Sequence, residues 1–379
     1  MSKEERCSKI LSQTYKTRPD YILLFIVLVL LSIGMLMVFS ASPTMAMRYG
    51  DSFYYLKRHL FALVVGFIAL YAGFKLDYNL YKDHIYYIAG ISVFLLMIVL
   101  LPGVGAGIGG ASRWIYFGVF SFQPAEIAKL ALIMFLAKEL SSKPIYQAIT
   151  PSLSAAALCT VLILKQPDLG TSFVIVLTTL SILYFAGLPA KSIVIFIFTS
   201  FFGLLILSFS KAYRFRRLIA YVNPWSDPKG IGFHIIQSLI AVGSGGLFGL
   251  GLGGSKQKFF YLPQNYTDFI FAIFCEEMGL LGAIGVILLF FFFVSRGLRI
   301  VRSAPDAFSM VLSAGIVSWI GIQAFLNISV VLAVAPTTGI PLPFISYGGT
   351  ALVVMLFGVG ILLNISQYKT EEGQKRVAT

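Results

Sequence analysis

Along this chain, long apolar runs alternate with short polar turns. A spanning helix needs about 20 apolar residues, because the hydrocarbon core of a bilayer is about 30 Å thick. Runs near that length cover residues 21–42, 60–74, 85–101, 127–140, 151–164, 172–188, 192–209, 269–294, 307–334 and 350–365. The pattern predicts an all-α polytopic membrane protein of about ten transmembrane helices. A polar tail covers 1–20, one transmembrane domain covers 21–366, and a second tail covers 367–379. Between the seventh and eighth runs lies a longer polar stretch, 210–267, which reads as one large extracytoplasmic loop.

Composition narrows the class. The chain is 58% hydrophobic and only 12% charged, with 34 Phe, and its mean hydropathy is +0.87. A soluble domain is about 45–50% apolar and about 25% charged. A soluble enzyme, a secreted disulfide module and a disordered tail are therefore excluded. The net charge of +13 does not form one basic block, because the 29 Lys and Arg sit mostly between the apolar runs. That distribution marks cytoplasmic loops, with no nucleic acid required. Lys3, Arg6, Lys9, Lys16 and Arg18 lie in the first tail, Arg296, Arg299 and Arg302 follow the eighth run, and Lys369, Lys375 and Arg376 lie in the last tail. An even number of spans then puts both tails in the cytoplasm. Cys7, Cys159 and Cys275 give no disulfide framework, and His59, His84 and His234 are too dispersed for a metal site.

Ionisable groups inside a span cost about 2.5–3.5 kcal/mol each on insertion scales, which makes each one a functional candidate. Glu126 and Lys129 open the fourth run at i and i+3, on one helix face. They read either as a self-compensating pair or as a cation facing an anionic headgroup. Arg113 stands beside Trp114, where an arginine either anchors the chain at the interface or grips phosphate with its planar fork. Lys165 sits in an external turn, and Arg214, Arg216 and Arg217 sit in the large loop. Thr267 reads as the cap of the eighth helix, with Asp268 in its first turn, where a carboxylate suits the helix dipole. At the outer membrane boundary the same carboxylate suits a general base acting on a sugar hydroxyl. Glu276 and Glu277 lie about 80° and 180° round that helix, so no two-carboxylate hydrolase is expected.

Two stretches, 105–110 and 249–254, match a dinucleotide-type G-x-G-x-x-G in letters only. Neither has the strand, helix and acidic residue that the motif needs. The first reads as a flexible external loop and the second as close backbone packing against lipid or substrate. The last loop, rich in Pro and Gly and without charge, reads as a re-entrant hairpin. Such backbone survives at membrane depth only when buried in protein or lining a cavity.

Three segments together resemble the FtsW/RodA/SpoVE family of bacterial shape, elongation, division and sporulation proteins. The first is Arg113-Trp114 with Phe120-Ser121-Phe122-Gln123-Pro124-Ala125-Glu126-Ile127-Ala128-Lys129. The second is Gln237-Ser238 with Gly243-Ser244-Gly245-Gly246, running on to Thr267-Asp268-Phe269-Ile270-Phe271-Ala272. The third is Gly339-Ile340-Pro341-Leu342-Pro343-Phe344-Ile345-Ser346-Tyr347-Gly348-Gly349. Lys57-Arg58 and the stretch Ser255-Lys256-Gln257-Lys258-Phe259-Phe260-Tyr261-Leu262-Pro263 resemble the division and sporulation branch more than the elongation branch. Two places depart from the family pattern. Gln264 stands where an acidic residue is usual, and Tyr266 where a His is usual.

The resemblance implies a peptidoglycan glycosyltransferase that polymerises lipid II, an undecaprenyl-pyrophosphate disaccharide-pentapeptide, during cell division. Asp268 matches the family's acidic residue and would deprotonate the acceptor sugar. A pyrophosphate leaving group needs cationic stabilisation. Arg113 and Lys129 are the first candidates, with Lys165, Arg214, Arg216 and Arg217 behind them, and Glu126 and Thr267 beside them. A divalent cation (Mg or Mn) could share that role, although no ligand set is visible. The implied partners are a class B penicillin-binding protein transpeptidase and other division proteins, at the septum of the bacterial inner membrane. A lipid II flippase and a non-catalytic division scaffold are the alternative readings.

Overall fold

The computed structural model describes residues 15–47, 50–106, 113–117, 120–209, 220–230, 232–258 and 266–369. Its long helices are α1 (Tyr21–Ala41), α2 (Tyr54–Lys75), α3 (Tyr78–Ile98), α4 (Pro124–Ser142), α5 (Ile145–Lys165), α6 (Leu169–Phe185) and α7 (Ala190–Phe209). A shorter α8 (Phe233–Ser244) follows, then α9 (Ile270–Ser303), α10 (Ala307–Val331) and α11 (Gly349–Ser366). Apart from α8, each falls where an apolar run predicts it. Among the described residues, six helices are long and apolar enough to cross a membrane on length and composition: α1, α2, α5, α9, α10 and α11. The chain is a multi-pass membrane protein.

The few acidic residues in the turns have a local reason to be there. Asp20, Asp77, Asp168 and Asp306 each cap a helix, accepting from Leu23, Asn79, Thr171 and Ser309 backbone N–H groups. Each cap satisfies donors that a helix start leaves open. At the centre of the bundle stand α10 and α11, with Trp319 and Phe308 fully buried. The other helices surround them and turn Phe, Leu and Ile outward, as at Phe61, Ile68, Ile91, Phe291 and Phe292. Exposed apolar residues in that arrangement face lipid.

The two ends of the described chain meet. Strand β1 (Tyr15–Lys16) pairs antiparallel with Tyr368–Lys369, and Arg296 forms an ion pair with Asp20 at 2.7 Å on the same face. At the opposite face, β2 (Gly105–Ala106), β3 (Trp114–Phe117) and β4 (Phe120–Phe122) form a small antiparallel sheet. The sheet corrects part of the flexible-loop reading, since Gly105 and Ala106 lie in a strand. Residues 107–112 lie outside the described residues.

Two expectations about the eighth span change. The helix is not one piece: Gly279 has φ 68° and ψ −169°, and α9 is broken there. Only glycine takes that conformation without penalty. The stretch before it is not a plain polar loop. It contains α8, whose Ile235, Ile236 and Ala241 are buried, and a glycine-rich strap that runs beside the break. A break in a helix leaves backbone groups open, which is costly at membrane depth. The strap closes them. Leu250 and Gly251 N–H donate to the carbonyls of Glu276 and Glu277 at 2.9 and 3.0 Å, while Leu280 and Leu281 N–H donate to Gly246 and Leu247 at 2.9 and 3.2 Å. A Cβ on Gly249 would clash with the Glu277 carbonyl. The second glycine pattern is thus close backbone packing, against the protein's own helix rather than lipid or substrate.

Candidate functional site

Asp268 lies just before α9, at the end of the bundle opposite the paired chain ends. The cap reading of Thr267 does not hold, because the helix starts at Ile270 with Phe269 as its N-cap and no side-chain capping bond. The last loop holds this approach to the helix instead. Ser346 Oγ donates to the Thr267 carbonyl at 2.6 Å and Tyr347 N–H to that of Tyr266 at 3.0 Å. Asn327 Nδ2 donates to the carbonyls of Asp268 and Ile340 at 2.8 and 2.7 Å. The carboxylate of Asp268 faces Gly339, where an added Cβ would come 3.5 Å from Oδ2.

The loop itself enters the bundle. Ile340, Leu342, Phe344, Ile345 and Ser346 are buried. A Cβ on Gly34 would clash with the Phe344 carbonyl. Gly34 is seven residues inside the C-terminal end of α1, or about 10 Å by the helical rise. The re-entrant reading of this uncharged loop therefore describes its geometry. Gln323 Nε2 donates to the Pro341 carbonyl at 3.0 Å, and Ser346 Oγ accepts from Leu342 N–H at 2.8 Å.

Glu126 and Lys129 lie beneath the loop. Their ion pair is 2.8 Å long, and both side chains are almost fully buried. Lys129 Nζ also donates to Gln323 Oε1 at 2.9 Å and stands 5.1 Å from the centre of the Trp319 ring. Of the two readings of this pair, the geometry is that of the compensated one. Through Gln323 it braces the loop that faces Asp268.

Arg113 is engaged with backbone. Its guanidinium donates to the Gln166 carbonyl at 3.2 Å and to that of Pro167, and lies 3.9 Å from Asp168. It clamps the turn that follows the exposed Lys165. Next along, Gly170 packs against Thr338 and Ile340 of the last loop. That loop thus has the Arg113 and Lys165 corner on one side and Asp268 on the other. Arg214, Arg216, Arg217 and Gln264 lie outside the described residues. Among the described residues, no group of three His, Cys, Asp or Glu could hold a metal ion.

Sequence reasoning missed several contributors. Trp319, Gln323 and Asn327 are spaced four apart on α10, and both amides serve the last loop. Amides repeating at i and i+4 within an apolar span were a legible signal. A tyrosine cluster was not legible. The Tyr55 ring is 4.5 Å from that of Tyr266 and 5.2 Å from that of Tyr347, and the Tyr266 hydroxyl donates to that of Tyr55 at 3.2 Å. Arg58, three residues on from Tyr55, bonds the Tyr54 hydroxyl at 2.7 Å.

Comparison with known proteins fits this arrangement. Residues 21–371 match the FtsW/RodA/SpoVE model, described as a cell cycle protein family. The chain belongs to the FtsW/RodA/SpoVE family. Among members of the family, Stage V sporulation protein E of Bacillus subtilis is 46% identical, covering 94% of this chain and 99% of its own. A probable peptidoglycan glycosyltransferase FtsW of Geobacter metallireducens is 41% identical over 92% and 95%. One chain in a solved structure of a peptidoglycan synthase complex, concerned with coordination of polymerization and crosslinking, superposes with TM-score 0.78 at 30% identity, covering 92% of this chain and 97% of that one. Rod shape determining protein RodA of Thermus thermophilus superposes with TM-score 0.69 at 28% identity, over 92% and 96%.

Proposed function

We propose that this FtsW/RodA/SpoVE family member is a peptidoglycan glycosyltransferase that polymerises lipid II, with Asp268 as the general base. The observation that carries the reading is the setting of Asp268. Its backbone is fixed by Asn327, its neighbour Thr267 by Ser346, and its carboxylate faces Gly339. A base must be held within hydrogen-bond reach of the proton it removes. Here the carboxylate takes the proton of the acceptor's GlcNAc 4-hydroxyl. That oxygen forms the new bond to the donor's anomeric carbon. The bond from that carbon to the pyrophosphate breaks, and polyprenyl pyrophosphate leaves with the electron pair.

The leaving group gathers negative charge and requires cations nearby. Lys165 is exposed at the end of α5, and Arg113 is fixed beside it. Arg58, on the far side of the tyrosine cluster, is a third candidate. Lys129 is committed to Glu126 and Gln323, and its part is to brace the loop. Arg113, Lys165 and Asp268 gather at one end of the bundle, which supports chemistry at the outer face over a charged path across the membrane. The chain works at the septal membrane with a crosslinking transpeptidase of the penicillin-binding class, and its two ends lie in the cytoplasm.

The test is polymerisation of lipid II by purified protein, with and without the transpeptidase. Asp268→Asn abolishes glycan chains while the protein elutes as a folded species. Chains formed at the normal rate by that variant would remove Asp268 from the base role.

A further inference from the structure

The break at Gly279 raises a question of orientation. The segment Ile270–Met278 follows directly on Asp268 and Phe269, yet the break separates it from the spanning part of α9. The membrane-crossing helix therefore does not fix its direction, and something else must. At its far end stand Glu276 and Glu277, about 9 Å along from Ile270 by the helical rise. Both are fully buried carboxylates, which is costly unless each is paired and hydrogen-bonded.

Each of them is. Glu276 accepts from Ser255 Oγ, from Lys256 N–H at 2.9 Å and from Gln257 N–H at 3.4 Å. Glu277 accepts from Ser40 Oγ of α1 at 2.6 and 2.9 Å, and pairs with Lys258 Nζ at 3.3 Å. Lys258 Nζ also donates to the Gly253 carbonyl at 2.7 Å, and its own carbonyl accepts from Thr44 Oγ1 at 2.9 Å. The two carboxylates thus join three separate pieces of chain: α1, the strap, and the short helix that bears Asp268. The stretch 255–258 is the start of the motif that the branch resemblance rests on, and this gives its Ser and Lys a physical task.

We propose that Glu276 and Glu277, gripped by Ser40, Ser255 and Lys258, are positioning residues for Asp268. The last loop pins the start of the short helix and the carboxylate latch pins its end. Together they hold a two-turn lever whose tip is the base. This rests on the glycosyltransferase reading for its consequence, but the latch itself is a matter of geometry. Misplacing a catalytic group by about 1 Å from a remote site costs roughly 100-fold in rate. The effect falls on turnover, because substrate contacts lie at the other end of the lever.

The experiment uses the full chain in nanodiscs with lipid II as probe. Glu277→Gln keeps the shape and the Ser40 bond but removes the ion pair. Turnover falls roughly 10- to 100-fold, while the apparent KM stays within about twofold. Lys258→Met behaves alike, and Lys258→Arg recovers most of the loss because it keeps the charge. A readout independent of the reaction is labelling of the Lys258 amine by an amine-reactive probe, followed by mass spectrometry. It is protected in the unmodified chain and reacts in Glu277→Gln. If Glu277→Gln does not fold, Ser40→Ala on α1 carries the test, with a smaller turnover loss and an unchanged melting temperature. Full turnover in Glu277→Gln, or equal loss in Lys258→Arg and Lys258→Met, overturns the positioning role. An unmodified chain that makes no glycan, with Lys258 still protected, overturns the polymerase reading and leaves the latch standing.

Discussion

Lys129 and Glu126 form an ion pair almost without solvent. Taking one partner of a buried pair away leaves an uncompensated charge, which costs about 3–5 kcal/mol. Lys129→Met is therefore expected to lower the melting temperature sharply, as read by thermal size-exclusion. The double change Glu126→Gln with Lys129→Met recovers most of that loss, since no lone charge remains. If the single and double variants melt alike, the pair does not act as a unit. At this scale the sequence was informative about identity and less so about partners. An i, i+3 spacing showed that Glu126 and Lys129 could meet. It did not show that Gln323, nearly two hundred residues on, would take a second ammonium hydrogen bond. Arg113 illustrates the same limit. Its neighbour Trp114 marked an interfacial position, but the carbonyls it clamps belong to a turn more than fifty residues away.

The broken α9 and its strap are the element on which the site depends. Gly249 has φ 81°, and a side chain there would press into the Glu277 carbonyl. Gly249→Ala is expected to cost about 2 kcal/mol or more from strain and clash, seen as loss of folded yield. Gly243 in α8 has open space where a Cβ would go, and Gly243→Ala should leave yield and melting temperature within error. Equal yields for both variants would show that the strap tolerates displacement. The apolar runs located the long helices well, because length and hydropathy are local properties. The break escaped notice because leucines and alanines flank Gly279 on one side and an unbroken helical pattern precedes it. What stabilises the break is supplied by a strap nearly thirty residues earlier, and hydropathy carries no record of such pairing. The helix inside the 210–267 stretch escaped for a related reason, since twelve residues are too short to register as a span.

For the molecule as a whole, the paired ends require an even number of crossings. Cysteines placed singly in the loops before α1, after α9 and after α11 should all react with a membrane-impermeant thiol reagent only once the cytoplasmic side is opened. Labelling of any one from outside intact cells would contradict the orientation. The order of the long helices was legible because apolar runs mark them. The assembly of the site was not, because it draws on α1, α2, α9, α10 and two loops at once. The clasp between Tyr15–Lys16 and Tyr368–Lys369 also makes the polypeptide a closed circuit in space. The order in which helices are strung is then separable from how they pack. Joining residue 369 to residue 15 through a short polar linker, and opening the circuit at the exposed turn between α4 and α5, would keep the packing contacts among the described residues and both new ends on the original face. Such a permuted chain should insert and polymerise, with only the order of synthesis changed.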